Sequence, residues 1–119
     1  DALQAAVLKV KLQYLDSYNE SRLKAADFYD MAFTNLDMLT IPYRAPYSTH
    51  VFHQYTLQLD KKLKQFELQE FLKQKGIPGM IYYPVPLHLQ KAYLDPRYKK
   101  GDFPVTEQLC NTVISLPMH

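Results

Sequence analysis

The stretch DALQAAVLKV KLQYLDSYNE SRLKAADFYD MAFT, Asp1 to Thr34, decides how the rest of the chain is read. It contains neither Gly nor Pro. Leu3, Val7, Val10 and Tyr14 recur at intervals of four, three and four, and Leu8, Leu12 and Leu15 form a second stripe beside them. Apolar side chains at that spacing share one broad face of an α-helix. Asp16 to Ser21 is polar, and Leu23, Ala25, Phe28, Tyr29 and Ala32 then resume the pattern. The spacing predicts one long helix with a kink or break between Asp16 and Asn19. At about 1.5 Å per residue such a helix runs for roughly 50 Å, whereas a compact chain of this length is only about 35 Å across. The helix should overhang its own domain, with an apolar face that this chain is too small to cover. A strict heptad is not sustained, which argues against a coiled coil. Either the helix dimerises, or a body of protein that would cover it is missing.

Around this helix the composition is that of one globular domain. The chain has 119 residues, of which 47% are hydrophobic and 22% charged. That excludes a disordered tail and leaves room for a single core of ordinary size. Fourteen Lys and Arg against 12 Asp and Glu give a net charge of +2, too small a surplus to argue for nucleic acid. No apolar run approaches the roughly 18 residues of a membrane span, and no signal-peptide pattern opens the chain. The single cysteine, Cys110, rules out an internal disulfide and fits a reducing, cytoplasmic setting. The chain begins at Asp1 with no Met and enters a helical pattern at once, so the expectation is a domain cut from a longer protein.

Ile41 to Ser48 is a proline-marked loop. Thr49 to Leu59 alternates, with Val51, His53, Tyr55, Leu57 and Leu59 on one side and His50, Phe52, Gln54, Thr56 and Gln58 on the other. This predicts a strand with the first set buried. Asp60 to Gln65 is a basic connector to a second helix, packed through Leu68, Phe71 and Leu72 and stopped at Gly76 behind Lys73 and Lys75. Met80 to Tyr83 predicts a short strand. Pro84 and Pro86 forbid regular helix and interrupt a ladder, so Pro84 to Gln90 is expected to be an ordered extended loop. Lys91 to Leu94 suits a helical turn. Pro104 suits the first position of a helix that carries Val105, Leu109 and Val113 inward, and Ile114 to Pro117 reads as the last strand. The fold class is α+β: a long N-terminal helix plus a small few-stranded sheet covered by helices. The expected division is a long connecting helix over 1–34 and a small α/β domain over 35–119.

His50 and His53 invite a metal reading, but side chains three apart on a strand point to opposite faces, and no carboxylate or cysteine lies nearby to complete a set. Cys110 has no Gly-rich elbow or neighbouring His, as a nucleophile would need. Three Gly in all leave no phosphate-cradling loop. Met80 to Tyr93 is the strongest candidate for chemistry. Tyr82, Tyr83, His88 and Tyr93 are hydrogen-bonding aromatics on a stretch stiffened by proline, able to stack on a sugar or base and also to bond it. The bland alternative places Tyr83 and Tyr93 in the core with satisfied hydroxyls.

Asp1-Ala2-Leu3-Gln4-Ala5-Ala6 resembles the start of the long helix that follows the cofactor region in the DegT/DnrJ/EryC1/StrS family, which are pyridoxal-phosphate-dependent nucleotide-sugar aminotransferases. His50-Val51-Phe52-His53-Gln54-Tyr55, Leu68 to Ile77, Tyr83-Pro84-Val85-Pro86-Leu87-His88-Leu89-Gln90, Gly101 to Val105 and Ser115 to His119 resemble that family too, in its order and at its spacing. The resemblance implies the carboxy-terminal small domain, with its connecting helix, of a fold-type-I homodimer. The large domain before it would carry the Schiff-base lysine, so none of the eleven lysines here is expected to serve as one. It further implies pyridoxal 5'-phosphate in the full-length enzyme and none bound by this segment, which would be inactive alone. Glutamate would be the amine donor and a dTDP- or UDP-linked ketosugar the acceptor, the Pro loop placing Tyr82, Tyr83 and His88 near the sugar. No catalytic, cofactor-binding or metal residue is expected within the segment. The alternative is a free-standing ligand-binding or dimerisation module without catalysis.

Overall fold

In the computed structural model, which describes residues 1–118, the expected long helix is two helices nearly end to end: α1 (Ala2–Leu12) and α2 (Leu15–Phe33). The side chain of Asp1 caps α1, its Oδ1 accepting the Leu3 N–H at 3.0 Å. The break falls at Gln13 and Tyr14, ahead of the polar stretch where it was expected. There the Gln13 and Tyr14 N–H groups turn to carbonyls three residues back, Val10 at 3.3 Å and Lys11 at 3.0 Å, which tightens and ends the turn. The Tyr14 carbonyl then accepts the Tyr18 N–H at 3.0 Å and the Ser17 hydroxyl at 2.8 Å. The polar residues therefore bond within α2 instead of interrupting it.

The remaining elements are β1 (Leu39–Thr40), β2 (Tyr55–Leu59), α3 (Gln65–Gln74), two 3-10 turns at Leu87–Leu89 and Lys91–Tyr93, α4 (Pro104–Thr112) and β3 (Val113–Leu116). The strands form one antiparallel sheet in the order β1-β2-β3, with Leu39 opposite Leu59 and Leu57 opposite Ile114. The class is α+β, as expected. His119, which closes the last of the resembling segments, lies outside the described residues.

The strand expected from Thr49 begins only at Tyr55. Phe52 has φ of 46°, and its N–H donates to His50 Nδ1 at 2.9 Å. A left-handed residue resets the alternation of faces, so Phe52 is buried and Val51 and His53 are exposed, the reverse of the expected order. Tyr55, Leu57 and Leu59 do point into the core. The expected strand at Met80 to Tyr83 reduces to a single bridge: Met80 and Ser115 exchange N–H···O bonds of 2.9 and 2.7 Å.

Helix α3 packs Leu68 and Leu72 against the core but turns Phe71 to solvent, under the Lys75 ammonium. It ends in a Schellman motif. Gly76 has φ of 74°, its N–H reaching the Lys73 carbonyl at 3.0 Å, and the Ile77 N–H reaches Leu72 at 2.9 Å. Pro104 opens α4 as expected, but Val105 and Leu109 are exposed, and the helix buries Thr112 instead.

The core comprises Ala26, Phe52, Tyr55, Leu57, Leu59, Ile114 and Met118, with Tyr29 and Phe33 of α2 packed against it. A polar network ties α2 to the loop before β2. The Tyr55 hydroxyl donates to Asp30 Oδ1 at 2.6 Å, and Arg44 bridges Asp30 at 2.6 Å and Asp27 at 2.8 Å with its guanidinium over the Phe52 ring. Burial, then Asp30, pushes the Tyr55 phenol well above its usual range, which keeps it a donor.

This core is small for the surface it carries. Helix α1 buries no residue. The radius of gyration is 17.5 Å, against about 13.5 Å for a compact chain of this length. The accessible surface is 9599 Å² for 14.0 kDa, against about 6,700 Å² for a folded monomer of that mass.

Candidate functional site

Pro84 and Pro86 fix the backbone that follows the Met80 bridge, with Pro86 at φ −58° and ψ 143°. Gln90 Nε2 donates back to the Val85 carbonyl at 3.0 Å and closes the loop on itself. Tyr82 and Tyr83 stand at its start, ring centroids 6.0 Å apart and edge to face. With Val85, Leu87, Tyr93 and Leu109 they line a cleft of about 580 Å³ between the loop and α4. Tyr83 and Tyr93 are 71% and 61% exposed, so neither is a core residue. Among the described residues, no ionisable group other than tyrosine and Cys110 lines this cleft. Burial pushes the Cys110 thiol up, which disfavours the thiolate a nucleophile requires.

His88 is placed elsewhere. Its side chain is 9% exposed, its ring centroid lies 4.8 Å from that of Phe103, and Nε2 is 3.1 Å from Glu107 Oε1. The same oxygen accepts the Gly101 N–H at 2.7 Å. Gly101 has φ of 99°, the left-handed region that favours glycine. The Gly101 N–H foremost, with His88 adding to it, holds the Glu107 carboxyl below its ordinary value. His88 thus lines a second cleft, of about 390 Å³, with Tyr98 and Phe103. The two clefts share Leu87, Tyr93 and Thr106 as walls. The structure brings Tyr82 and Tyr83 together and sets His88 behind them, in a clamp joining the Pro loop to α4.

Tyr82 also borders a third cleft, of about 350 Å³, lined by Arg22, His53 and Gln54. Sequence reading missed Glu107, 19 residues from its partner, and Arg22, which lines this cleft with Ser115 and Leu116 of β3. His50 and His53 are not on a strand, so the alternation argument against a shared metal does not apply. His50 Nδ1 is instead taken by the Phe52 N–H. No group of three potential metal ligands occurs among the described residues. None of the helices there is long and apolar enough to cross a membrane. All eleven lysines are exposed.

A helix, α2, packed on a small antiparallel sheet beside a proline-stiffened aromatic loop is an arrangement found in aminotransferases. Over 100% of this chain and 31% of the other, it superposes on an aminotransferase from Brucella abortus with a TM-score of 0.84 at 36% identity. The chain belongs to the DegT/DnrJ/EryC1/StrS aminotransferase family, whose model matches residues 1–119. It is also similar to S. venezuelae DesV, solved in complex with a ketimine intermediate, with a TM-score of 0.88 and 35% identity over 97% of this chain and 30% of that one. Among curated relatives, a pleiotropic regulatory protein of Geobacillus stearothermophilus is 42% identical, over 99% of this chain and 32% of its own length. The dTDP-3-amino-3,4,6-trideoxy-alpha-D-glucose transaminase of Streptomyces venezuelae is 35% identical, over 99% and 30%. The chain therefore spans about a third of the length of the curated relatives it matches.

Proposed function

We propose that this chain is the carboxy-terminal part, a connecting helix over 1–34 and a small domain over 35–119, of a cytoplasmic pyridoxal-phosphate-dependent aminotransferase. The whole enzyme would move an amino group from glutamate to a nucleotide-linked ketosugar. The observation that carries this reading is the family match over residues 1–119, at a third of the relatives' length. The surface surplus and the bare face of α1 support a large domain, and a second protomer, as the cover.

The residues present do not fit the cofactor. A Schiff-base lysine must stand in a sheltered site beside the substrate, and among the described residues no lysine lines the clefts around Tyr82. The cofactor would be held by the large domain, and the segment would be inactive alone. What this chain's residues do is bind and orient. Tyr82 and Tyr83 present ring faces and hydroxyls to a sugar, in a cleft whose low charge suits an uncharged ring. His88 acts behind them, through Glu107.

The longer protein, supplied with pyridoxal phosphate and glutamate, is expected to release 2-oxoglutarate and form an aminosugar from some member of a dTDP- and UDP-ketosugar panel. Failure with every member, or equal turnover by the 119-residue chain alone, would overturn the reading.

A further inference from the structure

The stripe of α2 that faces the sheet runs Arg22, Ala26, Tyr29 and Phe33, at intervals of four, three and four. Ala26 is buried, and Tyr29 and Phe33 pack against the core. The position one turn earlier, where the sheet runs out, is an arginine. It is half-buried, although Ser21 and Leu23 on either side are exposed. Withdrawing a guanidinium from water is costly unless its donors find acceptors. Arg22 has five N–H donors, and its hydrogen bond among the described residues is from Nη1 to Asn19 Oδ1 at 3.2 Å, a neutral acceptor on its own helix. The other two arginines are neutralised, Arg44 by Asp27 and Asp30 and Arg97 by Asp95. Arg22 makes no ion pair among the described residues.

The cleft that Arg22 lines contains His53, Gln54 and Tyr82 and no Asp or Glu. On its other side Tyr82 borders the cleft with Tyr83, which contains no Lys, Arg, Asp or Glu. Tyr82 thus borders both a cleft that holds a cation and one that holds no charged residue. A ligand with a neutral ring and an anionic group fits such a pair.

We propose that Arg22, with His53 and Gln54 beside it, is an oxyanion-binding subsite that takes a carboxylate or phosphate of substrate. A planar guanidinium offers paired N–H donors to either group. The proposal rests on the aminotransferase reading for its two sources: glutamate brings carboxylates, and a nucleotide sugar brings a diphosphate.

The test uses the longer protein as wild type, R22Q and R22K. The KM for glutamate and the Kd for UDP and dTDP are measured on each, together with Tm. R22Q is expected to weaken one of the two by about tenfold to a hundredfold, the loss of one charged hydrogen-bonded contact. R22K should recover part of it, by retaining charge without the fork. A raised KM for glutamate assigns the carboxylate; weaker UDP or dTDP binding assigns the phosphate. R22Q equal to wild type on both measures overturns the subsite, even if Tm falls, because Arg22 then serves packing alone. A wild type that transaminates nothing yet binds UDP in an Arg22-dependent way would sink the aminotransferase reading and leave the subsite standing.

Discussion

Glu107 is held by the Gly101 N–H and by His88, and its carboxyl titrates below the ordinary value of 4.5. A carboxylate with a lower pKa folded than unfolded stabilises the fold at higher pH, and that contribution is lost as pH falls through the folded value. E107Q keeps an acceptor oxygen but no charge. The variant is expected to have a lower Tm than wild type at neutral pH, and the gap to close on acidification below about 4.5. Thermal scans across that range check it, and a gap independent of pH would mean the charge contributes nothing. His88 could be picked from sequence as a polar aromatic beside prolines, but its role could not, because Glu107 reaches it only through tertiary folding. Tyr82 and Tyr83 stand exposed at the start of the Pro loop, and a loop that neither helix nor ladder absorbs has few structural reasons to expose tyrosines. Arg22 was passed over because it falls between the polar stretch Asp16 to Ser21 and the apolar pattern resuming at Leu23; only its place on the stripe with Ala26 and Tyr29 reveals it.

The helical stretches and the last strand follow from periodicity, the break at Gln13 and Tyr14 does not, and some of the helix ends follow from capping chemistry. Gly76 shows how closely. Its positive φ completes the Schellman turn of α3, and an added Cβ would meet nothing within 4 Å. Gly76→Ala should therefore cost only the backbone strain, about 1 kcal/mol. A urea titration of the chain should show a lower midpoint with an unchanged slope, and an unmoved midpoint would exclude strain there. The misread elements fail for a common reason. Alternation through Thr49 to Gln54 was real in sequence, but one left-handed residue, Phe52, exchanged the two faces. Nothing in a Phe announces a positive φ; the His50 ring that accepts its N–H and the Arg44 ion pairs nearby are what stabilise it. Phe71 and Val105 were placed inward because their spacing allowed it, and the sheet is too narrow to reach them.

At the scale of the whole chain, surface outweighs core. Helix α1 has 11 residues and none buried, and an isolated helix shorter than about 12–15 residues is marginal in water. In the 119-residue chain its amides are expected to exchange at nearly unprotected rates, while those of β2 and of α2 from Ala25 onward exchange slowly. In the longer protein the α1 amides should slow by at least about tenfold if protein covers them. Equal, fast exchange in both would leave α1 without a partner. The sheet answers a different hazard. Its outer strand β1 is only Leu39–Thr40, and beyond β3 the Met80 bridge leads at once into Pro84 and Pro86. One margin is too short to template a neighbour, and the other is capped by residues that cannot continue a ladder. Exposed apolar surface on this chain can therefore drive helix-face association, which is reversible, but offers poor purchase for the strand-by-strand stacking that seeds amyloid.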